Sequence, residues 1–190
     1  GSIDGTQEFL QSLSGDVQVI RNRENLGFAK ACNQGAAEAK GKYLVFLNND
    51  TIPQTGWLKV LVTEVEDDDT TGVVGSKLLY PDGTTQHAGV VFSRTNGMPY
   101  HVYRGLPGES PAVNRRQEFQ CVTAACMLVR CELFGTVGGF DEGFRNGFED
   151  VDLCLKVREK GYRVVYQPRS ALYHLESQTP ERKAHDRENW

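Results

Sequence analysis

The chain has 190 residues, of which 39% are hydrophobic and 24% charged, a composition that suits one globular domain with a sizeable core and does not demand two. Its formal net charge of -4 excludes the basic face that nucleic acid requires. No apolar run approaches the roughly eighteen residues needed to span a bilayer, so a membrane-spanning segment is excluded as well.

In chain order, residues 17–21 form a short β-prone run, followed by a polar, Gly-containing turn that ends at Gly27. Phe28, Ala31, Cys32, Gly35, Ala36 and Ala39 then recur at helical spacing and predict a helix whose small-residue face lies close against a sheet. Lys30, Asn33 and Gln34 share its polar face. Gly41 stops the helix and Tyr43-Leu-Val-Phe-Leu47 follows, a continuous apolar run expected of a central strand covered on both faces. Asn48, Asn49 and Asp50 stand where that strand ends. Ligands of open α/β sheets bind beyond the carboxyl ends of strands, so this cluster reads as a site, or alternatively as an Asx-rich turn capping the next helix.

Leu58, Leu61, Val62 and Val65 predict a second helix, which dissolves into the acidic run Glu66-Asp-Asp-Asp69, read as a solvated turn. Two β-prone runs at 73–80 and 84–92 flank Pro81-Asp82-Gly83, a hairpin signal. Residues 93–118 carry Gly, Pro and four arginines with neither period and read as a mobile loop near the site. Residues 122–129 resume a buried pattern, Gly138-Gly-Phe-Asp-Glu-Gly-Phe144 is turn-rich, and a helix is expected from Glu149 to Gly161. Tyr162, Val164 and Tyr166 make one face of a later strand, and the charged stretch 180–190 is expected to be peripheral. The five cysteines total an odd number and have no C-x-x-C spacing, so they read as reduced core residues of a cytoplasmic protein.

Three polar groups end apolar elements: Asn48 with Asp50, Glu149 with Asp150, and His174 within Leu172-Tyr-His-Leu-Glu176. Oxygen ligands two residues apart suit a hard divalent cation, and a histidine nitrogen tilts the preference toward Mn²⁺. Each group also has a plain structural reading. Glu149 and Asp150 could simply complement a helix N-terminus, and His174 could be a satisfied core histidine.

Taken together, Asn25-Leu-Gly27, Asn33-Gln-Gly35, Tyr43-Leu-Val-Phe-Leu-Asn-Asn-Asp50, Gly138-Gly-Phe-Asp-Glu142 and Phe148-Glu-Asp-Val-Asp-Leu153 resemble the family 2 glycosyltransferases, and within them the O-antigen and rhamnosyltransferase-like branch. The resemblance implies a single domain of α/β class with the GT-A, Rossmann-like fold. Its mostly parallel central sheet would have flanking helices and a small antiparallel hairpin. A donor-binding half at about 1–92 and an acceptor and catalytic half at about 119–178 would be separated by the 93–118 loop. It implies that Asn48-Asn49-Asp50 takes the place of the family's Asp-x-Asp element, with Asp50, Asn48 and His174 as metal contacts for Mn²⁺ or Mg²⁺. Asp150, with Glu149 beside it, corresponds to the general base, and Asn25, Gly27, Lys30, Asn33 and Asn49 to donor-binding positions for a nucleotide-sugar. Asn48 departs from the acidic residue usual at that place.

The activity so implied is inverting, metal-dependent transfer to a glycan or lipid-linked acceptor in cell-surface polysaccharide synthesis, in the cytoplasm or at the inner face of the membrane. A catalytically silent glycan- or partner-binding module is the alternative. A sugar-phosphate nucleotidyltransferase shares the architecture but usually has a Gly-rich phosphate loop that is not found here. Family members begin with an apolar strand that this sequence lacks, so a missing first strand, an N-terminally truncated domain, weak donor binding and a homodimer covering the exposed sheet edge are expected.

Overall fold

The computed structural model of the protein describes residues 2, 4–144 and 147–175. Its elements are, in chain order, α1 (Thr6–Ser12), α2 (Phe28–Glu38), β1 (Tyr43–Leu47), β2 (Thr51–Pro53), α3 (Trp57–Asp67), β3 (Thr71–Leu79) and β4 (Thr85–His87). There follow β5 (Val90–Phe92), β6 (Pro99–His101), β7 (Gln117–Glu118), β8 (Cys126–Arg130), α4 (Cys131–Thr136), α5 (Glu149–Glu159) and β9 (Arg163–His174). The expected stretch 180–190 lies outside the described residues. No helix among the described residues is long and apolar enough to cross a membrane.

The main sheet runs β1-β8-β3-β9-β2, with β4 and β7 attached to β3 and β9. β3 is buried at all its positions because both of its faces are covered, which is why it reads as an unbroken run with no alternation. The expectation of a mostly parallel sheet needs correcting. β1, β3 and β9 point the same way, but β8 inserts antiparallel between β1 and β3, and β2 and β7 pair antiparallel with β9. Only the β3–β9 ladder is parallel, so the sheet is mixed. Gly75 has a packing reason: an added Cβ would stand 2.5 Å from the Cβ of Val122, so glycine permits the close passage of that segment over β3.

Helices α2, α4 and α5 cover one face of the sheet around Phe46, Met127, Phe134, Phe140, Leu153 and Tyr166. Helix α3 covers the other, with Leu61 and Val65 against Val74, Leu78, Leu128 and Leu172. In α2 the buried stripe is rotated from the expected one. Phe28, Ala29, Cys32 and Ala36 meet the core, while Ala31, Gly35 and Ala39 are exposed. Small residues gain little from burial, so the larger Phe28 and Cys32 decide which face turns inward.

Other expectations need similar amendment. Residues 17–21 form no strand, and Val17, Val19 and Ile20 are exposed, since no neighbouring strand offers them a ladder among the described residues. The Pro81-Asp82-Gly83 hairpin forms between β3 and β4, but Gly89, at φ 115°, ends it, and β5 turns away to pair with β6. The 93–118 segment, read as a loop without regular structure, contains β6 and β7. It is bonded inward through Tyr166 Oη to the Val113 carbonyl at 2.9 Å and through Lys77 Nζ to Asn114 Oδ1 at 2.7 Å. The acidic run is also more than a solvated turn. Asp68 Oδ1 accepts from the Thr70 amide and hydroxyl, and Asp68 Oδ2 pairs with Arg163 at 2.9 Å. All five cysteines are free thiols.

Candidate active site

Strand β1 delivers its polar cluster by running out of ladder. Asn48 N–H donates to the Ala125 carbonyl at 2.9 Å, the last bond toward β8, and the chain then turns into β2, whose Thr51 pairs with His174 at the end of β9. The Leu175 amide bonds to the Asp50 carbonyl at 2.9 Å and locks this corner. The result brings together residues 124 positions apart: His174 Nε2 lies 3.1 Å from Asp50 Oδ1, and Asn48 Nδ2 lies 3.3 Å from the same nitrogen. Asn49 is exposed beside them.

The hydrogen-bond roles at this corner are determined by elimination. The carbonyl of His174 can only accept, so the Gln86 amide nitrogen faces it at 3.5 Å and the Gln86 amide oxygen faces Nδ1 at 2.6 Å. An oxygen there requires the proton on Nδ1. In the neutral ring Nε2 is then a bare lone pair, which accepts from the Asn48 amide and has no proton for Asp50. Asp50 Oδ1 is accordingly a buried carboxylate oxygen without a hydrogen-bond donor among the described residues. A lone pair and a carboxylate oxygen face to face in a half-buried corner are suited to a cation. Among the described residues no three His, Cys, Asp or Glu side chains gather in this way, and the third protein ligand these residues offer is the oxygen of the Asn48 amide after a half-turn.

Asp150 stands in the first turn of α5, next to this corner by way of two consecutive residues. Ala125 holds Asn48 through its carbonyl, and the Ala124 amide donates to Asp150 Oδ2 at 3.1 Å. Burial raises the Asp150 pKa, against the opposing effect of bonds from the Ala124 amide, the Thr123 hydroxyl and the Val151 amide. A carboxylate so placed is a stronger base than an exposed one. Glu149 is buried and accepts from the Gly147 amide at 2.9 Å, so it shapes the turn that precedes Asp150. That turn is strained, since Phe148 caps α5 at φ 71°.

The donor-side residues lie at the start of α2. Asn25 Oδ1 accepts from the Gly27 amide at 2.9 Å, and Gly27, at φ 84°, is the N-cap. Lys30 is exposed one turn further on. Asn33 is engaged in a different way: its amide oxygen accepts from Phe140 N–H at 3.0 Å and its amide nitrogen donates to the Phe140 carbonyl at 2.9 Å and to Glu142 at 3.2 Å. It fastens α2 to the Gly138–Glu142 turn. Sequence reasoning missed Gln86 and the buried His87 beside it. Three consecutive polar residues, Thr85, Gln86 and His87, interrupt a β-prone run without alternation, which marks the run as unusual but does not single out Gln86; all three are buried.

The chain matches the family model described as glycosyl transferase family 2 over residues 1–138. It is 40% identical, over 76% of its own length, to the O-antigen biosynthesis protein RfbC of Myxococcus xanthus, of which it covers 12%. It is 26% identical, over 92% of its length, to an N-acetylglucosaminyl-diphospho-decaprenol L-rhamnosyltransferase of Mycobacterium tuberculosis, of which it covers 64%. It therefore spans less than two thirds of either relative. Among solved structures it resembles GalNAc-T7 with UDP, GalNAc and Mn²⁺ at a TM-score of 0.70 and 19% identity, over 90% of this chain and 35% of that one, which shows the GT-A fold. With 138 of 190 residues matched, the chain belongs to glycosyl transferase family 2.

Proposed function

We propose that this domain performs inverting, divalent-cation-dependent transfer of a sugar from a nucleotide-sugar donor to a glycan or lipid-linked acceptor in cell-surface polysaccharide synthesis. The observation that carries the reading is the approach of Asp50 Oδ1 and His174 Nε2 to 3.1 Å at the end of the sheet where Asp150 heads α5. Asp50, His174 and the reoriented Asn48 amide would hold Mn²⁺ or Mg²⁺, the mixed oxygen and nitrogen set favouring Mn²⁺. Such an ion supplies charge neutralisation for the departing nucleoside diphosphate.

Asp150 takes the proton of the acceptor hydroxyl as that oxygen bonds to the anomeric carbon and the bond from that carbon to the diphosphate breaks. A single displacement of this kind inverts the anomeric centre. Glu149 holds the preceding turn. The N-terminus of α2 at Gly27, with Asn25 and Lys30, forms the donor side together with Asn49, because a helix start and a nearby cation suit a diphosphate; Asn33 fixes that helix in place. The similarity to an O-antigen biosynthesis protein and to a rhamnosyltransferase supports a cell-surface product. The donor half is assigned to about 1–92 and the acceptor half to about 119–178, with 93–118 between them. A peripheral position at the inner membrane face and a homodimer over the edge of β1 that pairs with no strand among the described residues belong to the same proposal.

Asp150→Asn tests the reading. It removes the base at nearly constant shape, so transfer and Mn²⁺-stimulated donor hydrolysis are expected to fall by two to four orders of magnitude, in line with the roughly 10²–10⁴-fold worth of a general base. The raised pKa means that the folded protein holds a proton the unfolded chain releases, so stability falls as pH rises through that interval. The Asn variant lacks this cost, and its melting temperature at neutral pH is expected to equal or exceed the wild-type value. Turnover at the wild-type rate by a folded Asn variant would end the assignment. A silent binding module is the second reading, favoured by the neutral Asn48 and the two-residue acidic and histidine set. Sugar binding without Mn²⁺-stimulated hydrolysis in the wild type would select it.

A further inference from the structure

We infer that Gln86 is a positioning residue that fixes His174 in the Nδ1–H tautomer and aims its Nε2 lone pair at Asp50. Gln86 lies on β4, remote in sequence from both partners and only 5% exposed. Its amide grips His174 at two points, Oε1 to Nδ1 at 2.6 Å and Nε2 to the backbone carbonyl at 3.5 Å. The carbonyl cannot donate, so turning the amide over would set oxygen against oxygen and nitrogen donor against Nδ1–H. Only one orientation satisfies both contacts, and it places the ring proton on Nδ1.

The far side of the ring fits the same proton position with the Asn48 amide as it stands. Asn48 Nδ2 is a donor and lies 3.3 Å from Nε2, which then accepts. Two amides on opposite sides of one imidazole thus agree on the tautomer. The unsatisfied Asp50 oxygen at 3.1 Å follows from that agreement, since the histidine offers it no proton. Alternation along β4 explains how one strand contributes this contact without exposing it. Gln86 turns to His174, while His87, the next residue, turns away to His101, with their Nδ1 atoms 2.8 Å apart.

The consequence for metal affinity rests on the cation reading proposed above, whereas the tautomer does not. A histidine ligand whose second nitrogen donates to a fixed acceptor keeps its ring orientation and basicity, and loss of such a partner typically costs 10–100-fold in metal affinity. Gln86→Met is close in size and has no acceptor. Gln86→Glu keeps an acceptor for Nδ1–H.

Long-range ¹H–¹⁵N correlation spectra of the ¹⁵N-histidine-labelled full chain at pH 8 read the tautomer directly, and Mn²⁺ titration followed by electron paramagnetic resonance reads affinity. The expected result is Nδ1–H at His174 in the wild type and in Gln86→Glu. In Gln86→Met the Nε2–H form should be populated and Mn²⁺ binding weakened at least tenfold, with Gln86→Glu restoring it. Nε2–H in the wild type, or an unchanged tautomer and unchanged Mn²⁺ affinity in a folded Gln86→Met variant, would overturn the inference. Should Gln86→Met fail to fold, the wild-type and Gln86→Glu spectra decide, because each must show Nδ1–H. The expected tautomers without any Mn²⁺ binding would uphold Gln86 and overturn the cation reading instead.

Discussion

At the scale of single residues, Phe148 is the least expected feature of the catalytic corner. It occupies the left-handed region at φ 71° and ψ -6°, directly before Glu149 and Asp150, with its side chain 41% exposed. An L-residue with a Cβ bears a cost of about 1–2 kcal/mol in that region, which glycine escapes. Removing the ring has its own cost, because more than half of it is covered, so the strain is isolated by comparing two truncations. Phe148→Gly is expected to be more stable than Phe148→Ala by about 1 kcal/mol in urea titration, the reverse of the order inside a helix, because an N-cap and a left-handed backbone both favour glycine over alanine. The usual order, Ala above Gly, would show that the backbone is not strained there. The corner was only partly legible at this scale. Asp50, Asp150 and His174 each announced themselves as polar groups ending apolar runs. Gln86 did not, because a buried glutamine in a strand looks like any polar residue facing solvent until the partner that covers it is known.

At the scale of elements, β4 and the β5–β6 hairpin are joined through two histidines, the buried His87 and the half-buried His101. Burial, and then Arg104, lower the His101 pKa from 6.5 to about 4, and burial lowers that of His87 further, with His101 and His174 adding to it. Their Nδ1 atoms, 2.8 Å apart, share one proton, and a second would set two donors against each other. The unfolded chain takes up protons near pH 6.5 and the folded one does not until about pH 4. Stability is therefore complete above pH 6.5 and declines as pH falls toward 4 and below. His101 alone contributes at most on the order of 3 kcal/mol to that decline, at about 1.4 kcal/mol per pK unit. Thermal melts between pH 7.5 and 4.5 should show it, and His101→Phe should flatten the curve over that interval while lowering the plateau. An equally steep decline in that variant would remove the histidine pair as its cause. Sequence periodicity found the hairpin turn at Pro81-Asp82-Gly83 but extended the second strand through Gly89. The break there depends on Phe119, whose ring lies 2.3 Å from where a Cβ of residue 89 would stand, a contact no local pattern reveals.

At the scale of the whole molecule, the mixed sheet lies between two unequal cores, and the candidate site lies where they meet. Most strands and helices were legible because their apolar runs are long and well punctuated. Their pairing was not. The antiparallel insertion of β8 between β1 and β3 joins segments more than fifty residues apart in the sequence, and nothing in a continuous apolar run states its direction. The smaller core makes the consequence measurable. Helix α3 is the main cover on its face, and its Leu61 and Val65 are wholly buried against Val74, Leu78, Leu128 and Leu172. Leu172 is two residues before His174, and its pairing with Pro53 is part of the β2–β9 ladder that brings Asp50 and His174 together. Leu61→Ala removes buried methyl groups from a layer that has, among the described residues, no second row of helices to collapse into the gap. A loss of about 2–5 kcal/mol is expected, lowering the urea midpoint by roughly 1–2.5 M for an m-value near 2 kcal/mol/M. Because α5 rests on the opposite core, the same substitution should weaken the Mn²⁺ binding proposed for Asp50 and His174 while leaving the pH dependence proposed for Asp150 in place. A shifted pH profile with unchanged Mn²⁺ affinity would mean that the two faces support the site in the opposite sense.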